Sequence, residues 1–209
     1  MNPNLQGDAL NKLIRLATTI VNDQNLLSEM IQEIKNGSKG AMCGMFRALF
    51  KRKLLGDLAS FTEIMNFFMR GSNITDFCLH SSPKLGIRCF FMPKNTSFPL
   101  HSHTNDLVCT GVLFGQIKYV TLNRISEDKY LLSRKSTAKM SDLLFCTKEF
   151  RNIHSILALE DSVIVDIFMP NTEETEDFSW FKVHKKRERE FTLEQFTVRP
   201  HCRSVASEV

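Results

Sequence analysis

The stretch Phe98-Pro99-Leu100-His101-Ser102-His103 sets two histidines at i and i+2. On an extended strand that spacing points both imidazoles the same way, because strand side chains alternate between faces. Rings that converge can share one metal ion, and imidazole suits iron, zinc, copper or nickel alike. A lone HxH is short enough to arise by chance, so its surroundings decide its weight. Here it follows a proline turn and precedes an apolar run that ends at Gly115. Working outward, short apolar runs recur at 77–79, 85–92, 107–114, 117–122, 143–146, 153–159, 163–169 and 178–183. They are rich in Phe, Val, Ile and Leu, several alternate with period two, and turn residues such as Ser81-Ser82-Pro83, Pro93-Lys94-Asn95 and Pro170-Asn171 separate them. Many short strands without intervening long helices predict a mainly β sandwich or barrel and argue against a parallel α/β sheet.

The N-terminal third has a different texture. Leu10, Leu13, Ile14, Ala17 and Val21 recur at helical spacing, and Leu26, Leu27, Met30, Ile31 and Ile34 repeat it. Gly37 and Gly40 stop the second helix. A mixed third segment runs from Met42 to about Phe68, with Phe46, Leu49, Phe50, Leu54 and Leu58 as candidate core contacts, and Gly71-Ser72-Asn73 closes the region. The expected organisation is therefore a helical extension over 1–70 packed on a β domain over 71–199, with a polar tail over 200–209.

Composition bounds the function classes. The 209 residues are 43% hydrophobic and 24% charged, within the globular range and far from wholesale disorder. A net charge of +4 is too small to argue for a nucleic-acid partner. No run approaches the roughly 18 consecutive apolar residues of a membrane span, and Met1-Asn2-Pro3-Asn4 has no basic or apolar leader pattern. The expectation is a cytoplasmic protein that binds neither membrane nor nucleic acid, with His184–Arg189 read as a solvated charge run that also permits a nuclear pool. Six scattered cysteines without a CxxC pair exclude a zinc ribbon and read mostly as small buried residues.

A third metal ligand must come from elsewhere in the chain. Of the six histidines, His201 lies in the tail, His184 in the charge run, and His80 beside a surface turn. His154 opens an apolar strand after Arg151-Asn152-Ile153, where a ligand lining a barrel would sit; the competing reading is a hydrogen-bonded core histidine. Asp166, inside Val163-Ile164-Val165-Asp166-Ile167-Phe168, is costly to bury without a partner. It either faces outward on a half-exposed strand or serves the site.

These motifs resemble the cysteamine dioxygenase and plant cysteine oxidase family. Phe98–His103 followed by Val112-Leu113-Phe114-Gly115-Gln116-Ile117 is similar to its PLHxHxxM…LLxGxxxxK pattern. Asn152-Ile153-His154 is similar to its NIH, Ile164–Pro170 to its ILD(V/I)LxPP, and Gly86–Pro93 to its SIGIFCLP strand. The resemblance implies a cupin, a double-stranded β-helix barrel akin to a jelly roll, holding Fe(II) on His101, His103 and His154, with Asp166 as the pocket carboxylate. A general cupin carries a glutamate ligand shortly after HxH; Val108 occupies that slot here, and Asp106 lies two positions earlier. Loss of that glutamate is what the resemblance implies, as is a monomer, the usual state in the family. The sequence departs from the family at Thr172, where a tyrosine is usual, and at Phe178-Ser179-Trp180, so a cysteine–tyrosine crosslink cannot form at that place.

The implied chemistry suits this ligand set. Neutral imidazoles leave the charge of ferrous iron uncompensated, which favours loss of the proton from an entering thiol. O2 supplies both oxygens of the sulfinate product. The expected substrate is a small aminothiol such as cysteamine, or the N-terminal cysteine of a protein, in which case oxygen level would be tied to degradation of that target. Alternatives are a metal-binding cupin without turnover that acts as a regulatory or binding protein, and a zinc or nickel isomerase of the same fold.

Overall fold

The computed structural model describes residues 8–37, 40–49, 72–171 and 179–196. Three helices come first: α1 (Asp8–Asn22), α2 (Gln24–Lys35) and α3 (Ala41–Leu49). The remainder of the expected third helical segment, to Phe68, lies outside the described residues. Asp23 caps α2, its carboxylate accepting from the Asn25 and Leu26 N–H groups. Gly37 ends that helix at φ +97°, a conformation that glycine adopts without strain. The N-terminus of α3 is capped from a distance, by the Glu33 carboxylate, which accepts from Met42 N–H (3.1 Å) and Cys43 N–H (2.9 Å).

The strands are β1 (Thr75–Ser82), β2 (Leu85–Met92), β3 (Ser97–Ser102), β4 (Leu107–Phe114), β5 (Gln116–Arg124), β6 (Lys129–Lys139), β7 (Leu143–Thr147), β8 (Ile153–Ala158), β9 (Ser162–Met169), β10 (Ser179–Arg187) and β11 (Glu190–Phe196). One antiparallel sheet has the order β1-β2-β9-β4-β7; the other closes on itself as β10-β11-β6-β5-β8-β3. The expected mainly β, cupin-type barrel behind a helical N-terminus is the architecture observed.

Three layers result. Leu85, Ile87, Cys89 and Phe91 of β2 and Val163, Val165, Ile167 and Met169 of β9 pack with Leu13, Ala17, Ile20, Met30, Ile34 and Phe46 of the helices. Their alternate neighbours, Phe90, Met92 and Ile164, face Phe98, Ile117, Tyr119 and Ile156 of the closed sheet. The first sheet is thus buried on both faces, which is why its strands read as continuous apolar runs rather than as an alternation. The closed sheet has a core of its own: Leu100, Val120, Leu122, Tyr130, Ile153, Phe181, Phe191 and Leu193. At about 25 cal/mol per Å2 of apolar area, these clusters supply the main drive for folding. Among the described residues no helix is long and apolar enough to cross a membrane.

Two strands escape the sequence reading. β6 and β11 carry Lys, Arg, Glu and Ser on the solvent side, and their buried side chains are Tyr130, the small Ala138, Phe191 and Leu193. Their hydrophobic alternation is too sparse to stand out.

Candidate metal centre

β3 and β8 bring the first two rings together. Their pairing runs Ser97↔Leu157 and Phe98↔Ile156, then slips by one residue so that His101 stands directly opposite His154. The slip matters, because strict alternation would send Phe98 and His101 to opposite faces. Instead Phe98 stays in the core between the sheets while its ring centroid lies 6.2 Å from that of His101. His103 follows one residue beyond the end of β3.

The ring centroids are 4.4 Å apart for His101 and His154, 4.9 Å for His101 and His103, and 5.0 Å for His103 and His154. One ligating nitrogen from each residue falls within 4.8 Å of the others, and all three residues are buried. Sequence reasoning placed these three side chains together, and the structure does so.

The donor set fits a divalent metal. His101 Nδ1 lies 2.8 Å from the Pro99 carbonyl oxygen, and His154 Nδ1 lies 3.1 Å from that of Asn152. A carbonyl can only accept, so each Nδ1 carries the proton and each Nε2 keeps its lone pair for a metal. Burial first, and then the neighbouring imidazoles, hold His103 and His154 well below the usual histidine range. Neutral rings are what coordination requires. Three buried histidines so arranged could hold a metal.

Asp166 lies on β9, opposite Arg88 of β2 and Thr110 of β4. It shares a face with Phe168, whose ring centroid is 5.6 Å from that of His103, and it is 7% exposed. It therefore points into the protein, against the outward alternative, and stands outside the group of converging ligand atoms. Its charge is felt by its neighbours: burial, then Asp166, pushes the Cys89 thiol up to about 12 and raises the Cys109 and Cys146 thiols. Val108 pairs in register with Phe168 and is buried with it and Cys146, so the slot of the cupin glutamate is apolar. Asp106 turns away, to an ion pair with Lys148 at 2.7 Å, where it helps line a cavity of about 220 Å3 beneath α2.

Of three further neighbours, Tyr119 and Thr121 went unread in the sequence, and Trp180 was read only as a departure from the family. Tyr119 places a buried phenol ring 5.3 Å from His154 and hydrogen-bonds the Cys146 thiol, so a phenol does lie beside the centre, from β5 rather than from the segment after β9. Trp180 pairs with His101 across β10 and β3, their rings 5.1 Å apart. Thr121, buried opposite His154, has a hydroxyl with no hydrogen-bond partner among the described residues. Each is set by pairing between strands distant in sequence, and no local pattern signals it. Thr172 and Phe178 lie outside the described residues.

Among solved structures, the chain is similar to KdgF from Halomonas sp. (19% identity, TM-score 0.41, covering 50% of this chain and 87% of that one). It is also similar to an uncharacterised double-stranded β-helix protein from Klebsiella pneumoniae (12% identity, TM-score 0.43, 56% and 92%). An RmlC-like cupin from Desulfovibrio desulfuricans is a further neighbour (18% identity, TM-score 0.38, 47% and 83%). Comparison with curated proteins gives no match. The PCO_ADO family model, that of the plant cysteine oxidases and cysteamine dioxygenases, matches residues 66–200, and this chain belongs to that family.

Proposed function

We propose that this protein is an Fe(II)-dependent thiol dioxygenase that converts an aminothiol, either cysteamine or a protein N-terminal cysteine, to its sulfinate. The observation that carries the reading is a centre of three neutral imidazoles with Val108, not a carboxylate, in the remaining cupin ligand slot. Iron bound there would lower the pKa of an entering thiol and bring it together with O2. The residues do the rest. Pro99 and Asn152 carbonyls fix the tautomers of His101 and His154, so neither ring must reorient to receive a metal. Phe168, Val108 and Cys146 keep water from the inner side of His103. Asp166, buried on the same face as Phe168, is the carboxylate placed to orient the substrate ammonium.

The test is iron content, oxygen uptake and product mass for the wild type and His154→Ala, with cysteamine and with a Cys-initiated peptide. The expected result is stoichiometric iron, uptake with one of the two thiols and a product carrying both atoms of O2, all lost in the variant. Iron-loaded wild type that takes up no oxygen with either thiol refutes the proposal. One observation favours a second reading, a metal-binding cupin without turnover. The Trp180 ring lies against His101, in the segment where the family carries its CxY. That reading predicts thiol-dependent spectral changes in the Co(II)-substituted protein with no oxygen uptake.

A further inference from the structure

His103 poses a geometric problem that its two partners do not share. His101 and His154 are held by the β3–β8 ladder, opposite one another in register. His103 lies one residue beyond the end of β3, outside every described strand. Its backbone is held by a side chain instead. His103 N–H donates to Asn152 Oδ1 at 2.8 Å, and Asn152 Nδ2 donates to the His103 carbonyl at 3.0 Å.

This exchange of one donor and one acceptor with both backbone groups of a single residue is what a hydrogen-bonded antiparallel partner provides. A primary amide can do it because its N–H and C=O lie on one edge. The same Asn152 Nδ2 also donates to the Lys148 carbonyl at 3.0 Å, which anchors the amide to the turn after β7. That turn is tied down in its own right, by Lys148 to Asp106 at 2.7 Å and by Glu149 to Lys35 of α2 at 2.8 Å. Meanwhile the Asn152 main-chain carbonyl accepts from His154 Nδ1. One residue therefore sets the backbone of one imidazole and the ring orientation of another.

We propose that Asn152 is a positioning residue that holds the backbone of His103 and couples it to His154, so that two of the three nitrogens are aimed before any metal arrives. The inference rests on the metal-centre reading above. It assigns Asn152 no contact with substrate. Without the amide, both hydrogen bonds from Asn152 to the His103 backbone are lost, and metal binding must itself supply the ordering that they provide.

The test measures Co(II) affinity by competition with a chromophoric chelator, and the rise in melting temperature that Co(II) produces, in the wild type, Asn152→Ala and Glu33→Gln. The last removes charge from the α3 cap, remote from the histidines, and controls for a general loss of stability. The expected result is a 10–100-fold weaker Co(II) affinity in Asn152→Ala, the range typical for partners that orient metal ligands. Its Co(II)-induced rise should shrink, while Glu33→Gln melts lower yet binds as the wild type does. An affinity within twofold of wild type in Asn152→Ala overturns the proposal. If that variant does not fold, Asn152→Asp decides. It keeps the acceptor for His103 N–H, loses both donated bonds and adds a negative charge that by itself favours a cation. A loss of affinity supports the clamp, and an equal or higher affinity overturns it. Wild type that binds no Co(II) instead refutes the metal centre, whatever the variants do.

Discussion

Replacing Val108 by glutamate would restore the carboxylate that a general cupin carries, and the consequence can be worked from the packing. Val108 is 2% exposed and packs with Cys146 and Phe168, the latter beside His103. Neither Cys146 nor Phe168 offers a cation to a carboxyl introduced there. Full burial raises a carboxyl pKa by up to about 3–5 units, so the group stays protonated at pH 7. Holding it so, against an unfolded value of about 4.3, spans roughly 2.7 units at about 1.36 kcal/mol each, or ~4 kcal/mol. At about 2–4 °C per kcal/mol for a chain of this size, the metal-free melt at pH 7 should fall by roughly 8–16 °C. The sign with pH follows from the direction of the shift. The folded value is raised, so the penalty is present at pH 7 and fades as pH falls toward the unfolded value.

A divalent ion on the three histidines reverses this, because the carboxylate then has a partner. The assay is a set of melts of wild type, Val108→Glu and the uncharged Val108→Met, at pH 7 and pH 5, with chelator and with Co(II). Val108→Glu should melt far below Val108→Met when metal-free at pH 7, and the gap should narrow at pH 5. Its Co(II)-induced rise should exceed that of the wild type. Metal-free Val108→Glu melting within 2 °C of Val108→Met, or a Co(II)-induced rise no larger than wild type, refutes the placement of Val108 against the centre.

Two further outcomes follow from the scaffold. Burial alone would raise the Glu33 carboxyl, but the N–H groups of Cys43 and Met42 outweigh it and hold the group below its usual value. Its contribution is therefore complete above an unfolded value of about 4.5 and lost as pH falls through the lower folded one. Glu33→Gln should cost about 1 kcal/mol at pH 7, read as a melt lower by about 2–4 °C, with the difference closing in acid; a gap independent of pH would show that the charge on the cap contributes nothing. Gly115 turns β4 into β5 at φ +75°, and a Cβ there would lie 2.2 Å from the Asp161 carbonyl oxygen, a backbone atom that cannot swing away. Gly115→Ala should destabilise by about 2 kcal/mol or more in a urea melt, and a change under 0.5 kcal/mol would contradict the packing of that turn.

The fold was legible where each strand has one plain job. β2, β4 and β9 are buried on both faces and read as unbroken apolar runs, and the helices announce themselves by the spacing of Leu13, Ala17 and Val21 or Leu27, Met30 and Ile34. β6 and β11 were not legible. Each turns one face into a small ring and the other to water, and length and charge on the wet face mask the few inward residues. The HxH histidines were legible because spacing on one strand is a local property. His154 could be chosen only by asking which remaining histidine opens an apolar strand.

What no local reading supplies is the offset between strands. His101 faces His154 because the β3–β8 ladder slips between Phe98 and His101, a shift fixed by the surrounding packing of Phe98 inward and Leu100 into the ring. Register also explains why an aromatic ring from β10, a hydroxyl from β5 and a phenol from the same β5 gather around residues that are remote in the chain. Asn152 belongs to the same class. In the sequence it is one asparagine before an apolar strand, as suited to a turn as to anything else. Only when β7 and β8 bring it beside the end of β3 does its amide meet both backbone groups of His103. The metal-binding types can thus be read along the chain, whereas the groups that aim them are set by how distant strands align, and it is on those groups that affinity should depend.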